Sequence, residues 1–217
     1  MQLLLLRHAH VDGHRGDVAI TDTGHKQAHR AGQWIRDNGH DVAVVLYGGT
    51  RRTRETAEAV VAGLDAPEAR RPDVADSFAL RNPDLYLGGD RVSMVSTAEA
   101  FAEQTAHLAP ADVDAAPFFN EWLRHPERVG FWVAHKTPPG DDAASVQRRI
   151  AAFAASLNDV PAWRGRTIVA ITHSPVLRSV GLGLRGTDGG EPPYVNGYAF
   201  TVTAESLLID EVAPATS

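Results

Sequence analysis

The sequence predicts an α/β fold with an open, mostly parallel central sheet, helices on both faces and a helical or irregular insertion. Three observations predict it. Short apolar runs at residues 2–6, 41–47 and 166–172 alternate with segments whose apolar residues recur at helical spacing. Polar or glycine-containing loops lead from each run into the helix that follows. This rhythm lapses over about residues 68–140 and then resumes, so residues 1–67 and 141–212 are expected to form the core of a single domain, with an insertion or lid between them.

In chain order, "QLLLL" at residues 2–6 is a run of the kind buried on both faces of a parallel sheet. From residue 23 to residue 38, Ala28, Ala31 and Ile35 lie on one helical face, and Asn38-Gly39 makes a stop. The second unit repeats that logic. Val42, Val44, Val45 and Leu46 read as a strand, Gly48-Gly49 breaks it, and Ala57, Val60, Val61 and Leu64 form the apolar face of a helix that frays around Gly63 and Pro67.

The middle of the chain holds more than half of the thirteen prolines, with short apolar pieces such as "PFFNEWL" and "VGFWVAH". A helix is expected from Ser96, where Ser96-Thr97-Ala98-Glu99 fits a capping box, through Phe101 to Leu108. The aromatics Phe118, Phe119, Trp122, Phe131 and Trp132 read either as an apolar lid or as the core of a small subdomain. After "PPGDD", Val146, Ile150, Phe153 and Leu157 define a helix begun by Asp141 or Asp142. Residues 166–172 then form a third strand running into "HSPVLRSVGLGL", and residues 198–203 and 207–212 are expected as an antiparallel edge.

Composition narrows the function. A net charge of -6 argues against a general binder of nucleic acid or anionic membrane, which needs a basic field. The absence of cysteine removes disulfides, thiolate nucleophiles, zinc-thiolate sites and iron–sulfur clusters. Residues 3–6 are too short for a signal-peptide core, and no apolar run approaches the ~20 residues of a membrane span, so a soluble cytoplasmic protein is expected.

Each predicted strand ends in reactive or cationic groups: Arg7-His8 after the first, Arg51-Arg52-Arg54 after the second and His173 after the third. Taken singly, each reads as a surface or loop residue, and "RRTRE" alone reads as a solvated, salt-bridged helix start. Ligands of open α/β sheets bind outside the carboxyl ends of the strands, so the three sets could share one pocket. Arginine forks and unsatisfied N–H groups at helix starts suit a phosphate dianion. A different reading takes the histidines as metal ligands, with His8 and His10 at a strand end and His25 and His29 at i, i+4 on a helix.

Five segments resemble the motifs of the histidine phosphatase superfamily, also called the phosphoglycerate mutase-like family, in the family's order. "LLLLRHAH" resembles its R-H-G motif with Ala9 for the glycine, and "ITDTGHKQA" resembles L-T-x-x-G-x-x-Q-A. "GGTRRTRETA" is similar to S-P-L-x-R-A-x-x-T-A, with the motif arginine at Arg52 and Gly48-Gly49-Thr50 replacing S-P-L. "TPPGDDAASVQRRI" resembles the P-G-G-E-S segment, and "IVAITHSPVLR" the V-T-H-G-G strand end.

The resemblance implies a phosphoglycerate mutase-like fold and a phosphatase acting on a small phosphorylated substrate, without metal or other cofactor. His8 would be the nucleophile, forming a phosphohistidine, while Arg7, Arg52 and a protonated His173 would hold the phosphate oxygens. His14 stands where the family often has a substrate-contacting asparagine, and His10 is a candidate for the pocket rim.

The general acid is where the chain departs from the pattern. Many relatives place a glutamate in a segment like L-x-E-x-x-x-G, and in "ALRNPDLYLGG" Asn82 falls on that position. Asp84 is the candidate acid, although Asn-Pro-Asp is also a turn signature, and Arg81 and Asn82 are candidates to bind phosphate oxygens or substrate. A mutase, and a phosphate-binding regulatory protein that has lost its acid, are the remaining alternatives within this fold.

Overall fold

The computed structural model describes residues 1–13, 16–203 and 206–214. Its centre is a six-stranded sheet of order β3-β2-β6-β1-β7-β8. The strands are β1 (Gln2–Arg7), β2 (Val42–Tyr47), β3 (Asp73–Asp76), β6 (Thr167–Thr172), β7 (Gly197–Val202) and β8 (Leu207–Val212). β3, β2, β6 and β1 run parallel, while β7 and β8 form the expected antiparallel edge.

β1 is continuously apolar because both of its faces are covered. Leu4 and Leu6 point to one face, with Val45, Val169 and Ile171, under helices α1 (Asp22–Asp37) and α2 (Arg51–Gly63). Leu3 and Leu5 point to the other, with Val44, Leu46, Ile168 and Ala170, under α7 (Ala143–Asn158) and α8 (Ser174–Arg185). Residues Leu3 to Leu6 are each 0% exposed, which is worth about 1.5–3 kcal/mol per side chain over leaving it in water.

The helix starts obey local chemistry. Thr21 caps α1 by accepting from the Gly24 N–H, and Asp142 caps α7 by accepting from the Ser145 N–H. Gly63, expected to mark fraying, is instead a packing residue. A Cβ on Gly63 or on Gly32 would run into the backbone of the neighbouring helix, so these glycines let α1 and α2 approach closely.

The middle of the chain differs from expectation in two places. Residues Asp73–Asp76 are not part of an excursion over the sheet: they form its parallel edge strand β3, in register with Val44 to Tyr47. Their sequence, "DVAD", carries no apolar run, because three of its four side chains are exposed. The helix expected from Ser96 to Leu108 is only α3 (Ala98–Ala102), capped by Thr97 rather than Ser96. It stops before the turns around residues 103–107.

Around it lie the hairpin of β4 (Leu85–Leu87) and β5 (Asp90–Val92) and helices α4 (Pro110–Ala115), α5 (Pro117–Arg124) and α6 (Arg128–Ala134). The buried aromatics Phe101, Phe119, Trp122 and Trp132 join the same core as Leu3 and Ile168. They therefore tie this segment to the α7–α8 face of the sheet.

Candidate active site

Strand register brings His8 and His173 together. Arg7 on β1 pairs with Thr172 on β6, so His8 and His173 leave the sheet side by side, and the His8 N–H donates to Thr172 O at 2.9 Å. Tyr47 on β2 pairs with Ile171, which brings the Gly48 turn and the start of α2 to the same edge. Four residues separated by up to 166 positions thereby converge: Arg7, His8, Arg52 and His173, each no more than 8% exposed.

His8 Nδ1 lies 2.8 Å from the carbonyl of its neighbour Ala9. A carbonyl only accepts, so Nδ1 carries the hydrogen and the lone pair sits on Nε2. Ala9 is held in turn, its N–H donating to Thr56 Oγ1 at 2.9 Å while that hydroxyl donates to Arg52 O. The His8 and His173 rings meet edge-on, with centroids 5.7 Å apart. Arg52 Nη2 lies 3.4 Å from His173 Nδ1 and His173 Nε2 lies 3.5 Å from Gly48 O. Both contacts lie at the long limit of a hydrogen bond, with the guanidinium able only to donate and the carbonyl only to accept. Gly48 is required here because a Cβ would meet Leu80 O at 2.5 Å and His173 Nε2 at 3.3 Å.

The two arginines are short of partners. The Nε groups of Arg7 and Arg52 are buried and have no hydrogen-bond partner among the described residues. Burial pushes Arg7 below the ordinary arginine value, against the opposing pull of Glu191 and Tyr194. Burial does the same to Arg52, where Asp17 opposes it and the nearby charge of Arg7 adds to it. An incoming dianion would relieve both effects at once. These groups open into a cavity of about 460 Å³ whose lining also includes Asn82, Met94, Val95, Trp122 and Val129.

Residues 3–78 match the model of the histidine phosphatase superfamily (branch 1), a span that contains Arg7, His8 and Arg52. Over those residues the chain is similar to the histidine phosphatase superfamily. His173 lies beyond the matched span, and its place beside His8 is a finding of the fold. Solved structures agree over nearly the full length. Bacillus stearothermophilus YhfR superposes with a TM-score of 0.62 at 19% identity, covering 99% of this chain and 98% of that one. A mycobacterial glucosyl-3-phosphoglycerate phosphatase solved with inorganic phosphate gives a TM-score of 0.60 at 18% identity, over 98% and 95% of the two chains. A structure named mycobacterial hydrolase 1 gives 0.62 at 16% identity, over 98% and 97%. At such identities the likeness is one of fold. No curated protein sequence matches the chain.

The other candidate residues of this histidine phosphatase-like chain have different fates. Asn82 lines the cavity. His14 lies outside the described residues. His10 faces away, its Nδ1 2.9 Å from Thr21 Oγ1 and its ring against Tyr194, and it lines a separate shallow depression. His25 and His29 are exposed on α1. Among the described residues no three His, Asp or Glu side chains cluster in a way that could hold a metal ion.

Arg81 and Asp84 pair with each other. Arg81 donates from Nε and Nη2 to Asp84 Oδ2 at 2.9 and 2.7 Å and lies over the Phe78 ring, outside the cavity lining. Asp84 is also paired with Arg91 at 3.1 Å, and its own N–H donates to Asp141 Oδ2. Burial works to raise the Asp84 carboxyl, but the hydrogen bonds and charges of Arg81 and Arg91 outweigh it and hold the group below the usual carboxylate range. Asp84 is thus held ionised and lies outside the residues that line the cavity.

Sequence reading missed three residues at the site. Glu191 Oε1 is 2.5 Å from Arg7 Nη2, Tyr194 lies 4.1 Å under the Arg7 guanidinium, and Glu127 lines the cavity from α6's leading turn. Glu191 and Tyr194 belong to "GGEPPYVNG", a turn-like stretch whose only local signal is that it leads into β7, the strand beside Arg7. No described helix is long and apolar enough to cross a membrane.

Proposed function

We propose that this protein is a metal-independent phosphatase that hydrolyses a small phosphorylated substrate through a phosphohistidine on His8, in the cytoplasm. The observation that carries the reading is the His8 Nδ1 contact with Ala9 O, which directs the lone pair to Nε2 beside two under-satisfied guanidinium groups. In the first half-reaction Nε2 attacks phosphorus in line, and the bond to the leaving oxygen breaks. Water then attacks phosphorus, and the electron pair of the N–P bond returns to Nε2. Arg7 and Arg52 supply fixed positive charge to the equatorial oxygens. Those cations do the neutralising that a metal does elsewhere.

The match of residues 3–78 to the histidine phosphatase model and the phosphatase among the structures of like fold support this reading. A cavity of about 460 Å³ suits a small-molecule substrate. The test is phosphate release from p-nitrophenyl phosphate in the presence of a chelator, together with capture of an acid-labile phosphoenzyme. His8→Ala should abolish both. Turnover that survives in the variant, or that disappears with the chelator, would reject the mechanism.

A further inference from the structure

The site lacks an assigned proton donor. Asn82 cannot give a proton at ordinary pH, and Asp84 is held in its own ion pairs outside the cavity. Two carboxylates line the cavity among the described residues, Glu127 and Glu191. Glu127 is held by Arg178, whose Nη1 and Nη2 each donate to one of its oxygens at 2.8 Å. That hydrogen bonding keeps Glu127 below the usual carboxylate range, against the effect of burial.

Glu191 stands differently. Its Oε1 meets Arg7 Nη2 at 2.5 Å, its Oε2 accepts from Ser174 Oγ at 2.5 Å, and Arg178 Nη1 is 3.9 Å away. One of the two edges by which a guanidinium grips an oxyanion with two parallel bonds is formed by Nε and Nη2, the other by Nη1 and Nη2. On Arg7, Nε has no hydrogen-bond partner and Nη2 is occupied by Glu191, while Nη1 is committed to Pro192 O at 2.5 Å. A phosphoryl group that takes the Nε–Nη2 edge must therefore displace Glu191 from Nη2 and leave it next to a dianion. Gly190, beside Glu191, has φ +77°, and Asp188 on Arg178 and Pro192 O on Arg7 anchor either side.

We propose that Glu191 is the proton carrier of the reaction, and that in the resting pocket its carboxylate holds the phosphate's place on Arg7. This rests on the phosphatase reading above. Two negative groups cannot share that edge without a proton between them, so phosphate binding brings a proton onto Glu191. As His8 Nε2 forms its bond to phosphorus, the P–O bond breaks and the leaving oxygen takes that proton, leaving Glu191 a carboxylate. The same carboxylate then takes a proton from the attacking water, so each cycle returns Glu191 and His8 to their starting states. The charged and titratable groups around Glu191 are Arg7 and Tyr194, Arg178 with its partners Glu127 and Asp188, and the two histidines of the cavity.

The test compares wild type with Glu191→Gln on two esters of the same dianion, glycerol phosphate and p-nitrophenyl phosphate. An alkyl leaving group needs protonation and a nitrophenolate does not. The variant should lose about 100-fold or more in kcat on the alkyl ester. Its alkyl-to-aryl activity ratio should drop at least tenfold. Calorimetric titration with inorganic phosphate at pH 8, in two buffers of different ionisation enthalpy, should show proton uptake by wild type and none by the variant. The variant should also bind phosphate several-fold more tightly.

Equal losses on both esters, no loss on either, or a variant that no longer binds phosphate would overturn the assignment. If wild type hydrolyses neither ester, the phosphatase reading fails by itself. Glu191 is then judged on the titration, where identical proton uptake in the two proteins rejects it.

Discussion

Buried arginines of two kinds stand at the same end of the sheet. Arg178 on α8 is 3% exposed, and Arg7 and Arg52 are 4% and 8% exposed, so all three have lost comparable hydration. Arg178 regains it completely: Nε donates to Asp188 Oδ1 at 3.0 Å, Nη1 to Glu127, and Nη2 to both Glu127 and Asp188. Burial acts to lower it, yet the hydrogen bonds and charges of Glu127 and Asp188 raise it above the ordinary arginine value. Arg7 and Arg52 move the other way, because their Nε groups lack partners and their carboxylate neighbours do not offset burial. A satisfied buried cation holds a loop in place. An under-satisfied one at a cavity wall keeps a donor available to an anion.

The sharpest way to break this comparison is to replace Arg52 with Met. Phosphatase activity should fall by about 10³-fold, or roughly 4 kcal/mol of transition-state stabilisation, because a preorganised charge is lost. Folding stability measured by urea denaturation should hold steady or rise slightly, since an under-satisfied buried charge is removed. Arg178→Met should do the reverse, costing about 3 kcal/mol of stability by stranding Glu127 and Asp188, with a smaller effect on turnover. If the two variants lose stability equally, the distinction between the two kinds of arginine collapses.

Ligand binding sharpens the same contrast at a somewhat smaller scale. Inorganic phosphate at 100 times its Kd should stabilise wild type by about 2.7 kcal/mol, read as a rise in the urea midpoint. The Arg52→Met protein should show little of that rise.

The smallest effect belongs to Asp84. Its folded-state carboxyl lies below the ordinary value, so the stability it contributes is fully present above the unfolded-state value near pH 4. That contribution is lost as pH falls through the folded-state value. Asp84→Asn should therefore cost about 1–2 kcal/mol at neutral pH, flatten the acid side of the stability curve and leave turnover within about threefold of wild type. A turnover loss of 100-fold would return Asp84 to the list of candidate acids.

The legible parts of the molecule were those whose signal is local. "QLLLL" reads as a doubly buried strand because both faces of β1 are covered, and Ala28, Ala31 and Ile35 keep their periodicity because α1 lays that face on the sheet. β3 was missed because an edge strand with exposed side chains has no apolar run to show. Arg7, His8 and His173 were legible since each stands at the end of a predicted strand, and Arg52 through the motif resemblance of "GGTRRTRETA"; strand ends meet wherever parallel strands pair in register.

By itself, then, the sequence determined the alternation of strands and helices, the burial of the central strands and the placing of Arg7, His8 and His173 at strand ends. Only the tertiary structure decided which cations remain under-satisfied and which carboxylate attends them. Asp84 sits three residues from Arg81, and that short-range pair withdraws it from the site. Glu191 reaches Arg7 across 184 positions because β7 returns alongside β1. Periodicity reports how a segment meets water and core over a few residues, whereas the state of a charge depends on every group that folding brings within a few ångströms of it.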